Sequence, residues 1–277
     1  MEEDSRPDPD ELLENIKKQE ELGKKGKLKL YLGMCAGVGK TFSMLQDASK
    51  AGGKGIDVVI GYVETHSRHE TEFLLFHLEQ IPRKQINYKG ISIEEMDLDA
   101  ILQRKPKLVV VDELAHTNAP GSRHTKRYLD VLELLNNGID VYTAINVQHL
   151  ESRTDFVSNI TGIVIKETVP DTILDIAYEI ELVDISPDEL LQRLNEGKVY
   201  TKDKSEKAIK NFFRKGNLTA LREMSLRITA ERVDRQLRDY MSENRISGPW
   251  KSGQRILIAI SSSPSSAALI RWARKVS

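Results

Sequence analysis

An α/β fold with a largely parallel sheet is what this sequence predicts, and three observations carry it. From Lys27 to Ile185, short apolar runs alternate with helical stretches, the rhythm of βαβ units. The strongest run, Leu108–Val111, is apolar throughout, as a strand buried on both faces requires. Each run also ends in polar residues: Lys40 and Thr41 after the first, Glu64, Thr65, His66 and Arg68 after the second, Asp112, Glu113 and His116 after the strongest, and Asn146, Gln148 and His149 after the next. Ligands of open parallel sheets sit at that carboxyl edge.

In order, residues 1–26 are polar, with a helix expected from Asp10 to Leu22, and read as a docking arm. Lys27–Gly33 alternates apolar and polar residues as a strand does, and a helix follows from about Gly39 to Ala51, stopped by Gly52-Gly53. Next come a strand over Asp57–Glu64, a helix over Glu70–Gln80, a weaker strand near Ile86 and a helix over Leu98–Arg104. After the Leu108–Glu113 strand, a helix over Lys126–Leu135 ends at Asn136-Asn137-Gly138. Strands are expected at Asp140–Asn146, Ile163–Val169 and Glu179–Ile185. Residues 27–185 thus form the α/β domain. Residues 186–246 are a helical extension that opens at Pro187 and continues to about Asn244. In it Leu226, Ala230, Val233, Leu237 and Tyr240 follow a 4-3-4-3 spacing, ringed by Arg227, Arg232, Arg235 and Arg238. This seam either packs on its own domain or pairs two copies as a homodimer. Ser247-Gly248-Pro249 marks a boundary, and residues 247–277 hold one strand and one helix, which cannot bury an apolar face alone.

Composition excludes several classes. The 277 residues are 39% hydrophobic and 30% charged with a net charge of −1, so no global field draws the chain to nucleic acid or anionic lipid. No apolar run is long enough to cross a bilayer. The acidic start MEEDSRPDPDE lacks an apolar signal core, and a cytoplasmic location is expected. Cys35 is the one cysteine, which excludes an internal disulfide and fits a reducing compartment.

Chemistry concentrates in the first strand–loop–helix. Gly33, Gly37 and Gly39 let the backbone between strand and helix turn its N–H groups around a phosphate, with the helix start at Lys40 behind them. Lys40 is placed to reach the β- and γ-phosphates and the Thr41 hydroxyl to bind Mg2+. The G-x-G-K-T core, Gly37, Val38, Gly39, Lys40 and Thr41, is intact, although the first glycine of the general P-loop pattern falls at Gly33 and not at Met34. Asp112 follows four apolar residues, the Walker B arrangement, and is the second expected magnesium-associated group. Glu113 either orients an attacking water, as the catalytic residue, or is a solvated glutamate. In HTNAPGSRHTKR, His116–Arg127, the turn at Asn118–Gly121 precedes basic residues. Arg123, Lys126 or Arg127 could neutralise phosphate there. His66, His116 and His149 share the sheet edge, but no paired-histidine or cysteine spacing makes a zinc site expected.

Beside this reading stands a resemblance. RPDPDELL (Arg6–Leu13), GMCAGVGKT (Gly33–Thr41), GYVETHSRHETE (Gly61–Glu72), VDELAHTNAPGSRHTKR (Val111–Arg127), NVQHLES (Asn146–Ser152), ELLQRLNEGKVY (Glu189–Tyr200) and NFFRKGNLTALRE (Asn211–Glu223) occur in that order. The series resembles the N-terminal cytoplasmic region of the KdpD potassium-sensor histidine kinases. The stretch from Arg255 resembles the first unit of the universal-stress-protein-like domain that follows there, a domain that binds a cyclic dinucleotide in some members. The resemblance implies a P-loop domain with ATP and Mg2+ as ligands, Gly37, Gly39, Lys40 and Thr41 as its loop and Asp112 as its acid. It further implies a membrane-anchored kinase as partner, whose kinase-to-phosphatase balance ATP tunes. No phosphoacceptor-histidine helix or kinase ATP lid is found in these residues, so phosphotransfer by them alone is not expected. Three functions stay open: a regulatory ATP-binding module, a free-standing P-loop NTPase or small-molecule kinase, and a scaffold with a vestigial loop.

Overall fold

The computed structural model describes residues 25–65, 69–197, 199, 212–244, 246 and 266. The expected arm at 1–26 falls almost wholly outside these residues. So do His66 and Arg68, and nearly all of the strand and helix expected after residue 247. The chain divides into two compact units, Met1–Thr229 and Ala230–Ser277.

Among the described residues eight strands are present: β1 Leu28–Gly33, β2 Val58–Tyr62, β3 Glu79–Gln80, β4 Lys84–Tyr88, β5 Ile91–Glu95, β6 Leu108–Val111, β7 Asp140–Asn146 and β8 Glu179–Leu182. The helices are α1 Lys40–Gly53, α2 His69–Leu75, α3 Leu98–Arg104, α4 Arg127–Asn136, α5 Thr154–Thr161, α6 Thr172–Ile176, α7 Pro187–Asn195 and α8 Lys215–Glu243. Six strands form one sheet in the order β3-β2-β6-β7-β1-β8, and every pairing in it is parallel. The predicted α/β architecture is therefore present.

Strand alternation sorts the side chains into two cores. Tyr31, Val58, Ile60, Leu108, Val110 and Ala144 meet Met44, Leu45 and Ala48 of α1 on one face. Leu30, Leu32, Val59, Val109, Val111, Val141 and Ile145 share the other core with Ile101 of α3, Val131 and Leu134 of α4, and Leu218 and Leu221 of α8. Each such side chain withdrawn from water contributes about 1.5–3 kcal/mol before conformational entropy is subtracted. Among the described residues no helix is long and apolar enough to cross a membrane.

Four expectations need correction. The helix from Glu70 stops at Leu75, and Glu79–Gln80 pairs with β2 as a short edge strand. The weak strand near Ile86 is half of an antiparallel hairpin, β4–β5, closed by Lys89 (φ 50) and Gly90 (φ 81). This is a two-residue turn of the kind whose twist suits a hairpin. Ile163–Val169 makes no ladder, only one bridge from Val169 to Leu150. Both edges of β7 are taken by β6 and β1, so the segment cannot pair with that strand. The side chains that α8 buries in this chain are also not those of the expected seam. Leu218, Leu221, Met224 and Ile228 are the buried side chains, whereas Leu226 is 44% and Val233 57% exposed.

Candidate functional site

The loop between β1 and α1 is built by two glycines in the left-handed region, Gly37 (φ 91) and Gly39 (φ 108). Gly39 is also the N-cap of α1. It offers no side-chain cap, and the first turn holds no acid of its own, so the anion at this positive end comes from another element. Lys40 opens the helix and donates its Nζ to the carbonyl of Cys35 at 2.9 Å. Cys35 itself is buried, and burial pushes its thiol up to about 12. Both features disfavour the thiolate, and the side chain serves as a small buried filler of the loop.

Alternation on β6 gives Asp112 the same parity as Val110, on the α1 side of the sheet. The Thr41 hydroxyl donates to Asp112 Oδ2 at 2.8 Å, and the Glu113 N–H to Oδ1 at 2.8 Å. Residues 71 positions apart are thus joined across the sheet edge. Asp112 is 6% exposed. Burial raises its carboxyl pKa despite the opposing bonds from Thr41 and Glu113. Two hard oxygens side by side, one of them a carboxylate's, are the kind of donor a magnesium ion takes. Glu113 sits at φ 54, a rare conformation for a glutamate that marks stored strain. Partial burial, with 41% of its side chain still exposed, and the Asp112 carboxylate push its pKa up as well.

These groups line a cleft of about 300 Å³ together with Ala36, His116, Asn146, His149 and Glu167. His149 Nδ1 lies 2.8 Å from the Glu167 carbonyl, and burial lowers its pKa, which keeps the ring neutral. Gly37, Gly39, Lys40, Thr41, Asp112 and Glu113 are therefore brought together as grouped from the sequence. Val38 is buried beneath the loop. Arg123 stands elsewhere, beside a second crevice with Asn118, Asp130 and Asp99, where it donates to Asp99 Oδ1 at 2.8 Å.

Sequence reading missed two sets of residues, and the first, around Glu95, gives Arg127 a buried carboxylate partner in place of the phosphate expected for it. Arg127, fully buried, donates to Glu95 Oε2 at 2.9 Å, lies 3.7 Å from Glu113 Oε2 and stacks 3.7 Å over the Tyr62 ring. Glu95, at the end of β5, also faces His116 Nε2 at 3.0 Å and accepts the Ala119 N–H at 2.7 Å. The hairpin thereby delivers the counter-charge that lets a basic residue start α4. The second set lies on α7. Arg193 donates to the carbonyls of Gly37 (3.5 Å) and Val38 (3.3 Å) and to Glu189 (2.6 Å). A Cβ on Gly37 would stand 2.6 Å from Val199 and 3.1 Å from Leu190. The glycine loop is thus backed by the segment that follows the sheet. Only the i,i+4 pair Glu189–Arg193 was visible as a local signal.

The fold and cleft define an α/β domain with a polar site on the carboxyl edge of a parallel sheet, floored by a glycine loop. The family model described as "KdpD: Osmosensitive K+ channel His kinase sensor domain" matches residues 24–233, and the chain belongs to that family. It is 51% identical over 271 residues to the sensor protein KdpD of Escherichia coli K12, covering 98% of this chain and 30% of that protein. Its likeness to the sensor protein KdpD of Clostridium acetobutylicum is 50% over 272 residues, again 98% and 30%. To that of Mycobacterium tuberculosis H37Rv it is 45% over 253 residues, 91% and 29%. The chain thus spans about 30% of the length of these curated relatives.

Proposed function

We propose that this chain is the regulatory nucleotide-binding module of a potassium-responsive sensor histidine kinase, and that it holds Mg·ATP at a P-loop. The observation that carries the reading is the meeting of the Thr41 hydroxyl and the Asp112 carboxylate at 2.8 Å beside Lys40. When bound, the nucleotide would supply anionic phosphates and the magnesium a positive charge against Asp112. Lys40 would exchange the Cys35 carbonyl for a phosphate. Thr41 and Asp112 would separate enough to hold the ion directly or through water. The N–H groups of Gly37, Gly39 and the first turn of α1 would face the phosphates.

Regulation is favoured by what backs the loop. Arg193 ties two loop carbonyls to α7. Asp188 of α7 pairs with Lys215 of α8 at 2.8 Å, and Arg222 of α8 with Asp184 just before α7 at 2.6 Å. Movement of the loop on binding would be felt along this chain of contacts. The rest of the kinase, its membrane and phosphotransfer parts, is the partner this module would bias from the cytoplasmic side. A second reading, hydrolysis by the module itself, is favoured by one observation, the strained Glu113 beside Asp112. Its carboxyl, raised in pKa, suits a general base.

The test is binding of Mg·ATP and Mg·GTP to wild type and Lys40→Ala, with phosphate release followed in the same samples. The expected result is ATP binding weakened at least about tenfold in Lys40→Ala, as for loss of a charged hydrogen bond, and negligible release. Wild type that binds no nucleotide with magnesium would overturn the proposal. Brisk release that depends on Lys40 and Glu113 would move it to the enzyme.

A further inference from the structure

The second crevice lies between the β4–β5 hairpin, the start of α3 and the loop that leads into α4, and two oxygens beside it are left without partners. Asn118 is 8% exposed. Its Nδ2 donates to the His124 carbonyl at 3.0 Å and to Asp130 Oδ2 at 2.7 Å. Both amide hydrogens are thereby used, which fixes the orientation of the carboxamide. Oδ1 is then left buried with no hydrogen-bond partner, and so is Ser122 Oγ. Both residues line one crevice of about 20 Å³ together with Asp130. The loop backbone holds them there, with the Asn118 N–H on the Thr125 carbonyl at 3.1 Å and the Ser122 N–H on the Ala119 carbonyl at 3.0 Å. Charge points the same way. Asp130 is 4% exposed, and among the described residues its carboxylate is met by the neutral Asn118 amide. The cations around it are engaged by other acids. Arg127 pairs with Glu95 at 2.9 Å, Arg123 with Asp99 at 2.8 Å and Glu133 at 2.5 Å, and Lys84 with Asp99 at 3.1 Å. His116 and His124 face Glu95 and Glu133 in turn. A buried carboxylate so placed is costly until a positive charge meets it.

We propose that this crevice binds one monovalent cation, held by Asn118 Oδ1, Ser122 Oγ and the Asp130 carboxylate. The assignment is independent of the nucleotide reading. Size limits the occupant to a single particle, since one water already needs about 10–15 Å³ of such space. Every group on offer is an acceptor or can act as one, which suits a cation and excludes an anion. A water brings two hydrogens and no charge, so it leaves the Asp130 charge unmet. One carboxylate and two neutral oxygens balance a single positive charge. A doubly charged ion takes a larger and more acidic shell, and among the described residues no group of three His, Cys, Asp or Glu is placed to hold a metal ion. Asn118 and Ser122 belong to the loop and Asp130 to the first turn of α4, so the ion would staple the loop to the helix that follows it.

The experiment is to record melting curves of wild type, Asp130→Asn and Ser122→Ala, without nucleotide, in the chlorides of potassium, sodium and ammonium. The reference is N-methylglucamine chloride at the same ionic strength, whose cation is too large for the crevice. Wild type is expected to melt at least about 2 °C higher with one or more of the small cations than with N-methylglucamine, the signature of a ligand that binds the folded state alone. Which of the three raises it most identifies the ion the site prefers. Asp130→Asn keeps the size of the side chain and removes its charge, so that difference should vanish. Ser122→Ala removes one neutral oxygen and should shrink it. Each comparison is made between salts within one protein, so a change in baseline stability does not disturb it, and Ser122→Ala carries the test if Asp130→Asn fails to fold. No difference between the salts in wild type overturns the proposal and leaves the crevice to a water. A difference that persists undiminished in either variant overturns it too, because the ion then binds elsewhere.

Discussion

At the scale of single residues, the cleft is a place where stability has been given up. Asp112 is a buried carboxylate whose pKa is raised, chiefly by burial. A group raised in the folded state favours folding fully below its unfolded value of 3.8 and loses that contribution as pH rises through the folded pKa. At neutral pH it therefore opposes folding. Asp112→Asn should melt about 2–4 °C higher at pH 7 without nucleotide, the shift that ~1 kcal/mol produces in a domain of this size. The gain should vanish below pH 3.8. The amide can still accept from the Glu113 N–H and donate to the Thr41 hydroxyl, so geometry is kept and charge removed. A variant that melts lower than wild type at pH 7 would show that the hydrogen bonds outweigh the burial of the charge. Arg127 shows the opposite accommodation. Its full burial is tolerable because Glu95 and the Tyr62 ring surround it, and removing one partner of such a pair strands the other.

At the scale of elements, the glycine loop and α7 are one packed unit. Gly37 has φ 91, and a Cβ there would strike both Val199 methyls at 2.6 and 2.7 Å. Gly37→Ala should therefore destabilise by about 2–3 kcal/mol, the sum of a left-handed penalty and a steric one. The double variant Gly37→Ala/Val199→Ala should recover the steric part alone, because the backbone penalty is independent of Val199. Denaturant midpoints for the single variants and the double variant check this. Full additivity of the two changes would show that Val199 does not press on the loop.

At the scale of the whole molecule, the contacts from loop to α7 to the start of α8 predict how binding is felt at a distance. Mg·ATP should slow amide exchange in 187–195 and 215–229 as well as in the loop. Arg193→Ala should keep ATP affinity within about tenfold, since the arginine bonds the loop's carbonyls and not the ligand, yet lose the slowing in 187–195. Unchanged slowing in Arg193→Ala would break the proposed path. Much of this molecule was legible beforehand. The β1, β6, β7 and β8 runs, α3 and α7 are predictable from apolar runs, caps and turn residues because those signals are local. The Ser186 hydroxyl accepting the Glu189 N–H, for instance, is a cap followed by proline. The side chains that α8 buries, Leu218, Leu221, Met224 and Ile228, were not legible because the helix carries two apolar stripes and local spacing does not say which one meets the sheet layer.

The sequence by itself determined the parallel α/β plan and the cluster of Gly37, Gly39, Lys40, Thr41, Asp112 and Glu113. Backbone conformation, hydrophobic period and short motifs are properties of neighbours in the chain. Only the tertiary structure decided that Glu95 would neutralise Arg127, that Arg193 and Val199 would back the loop, and that Arg123 would stand outside the cleft. Those outcomes depend on strand order and on which edges are already paired. Strand order is set by the burial of the whole sheet and leaves no mark on any single stretch of residues.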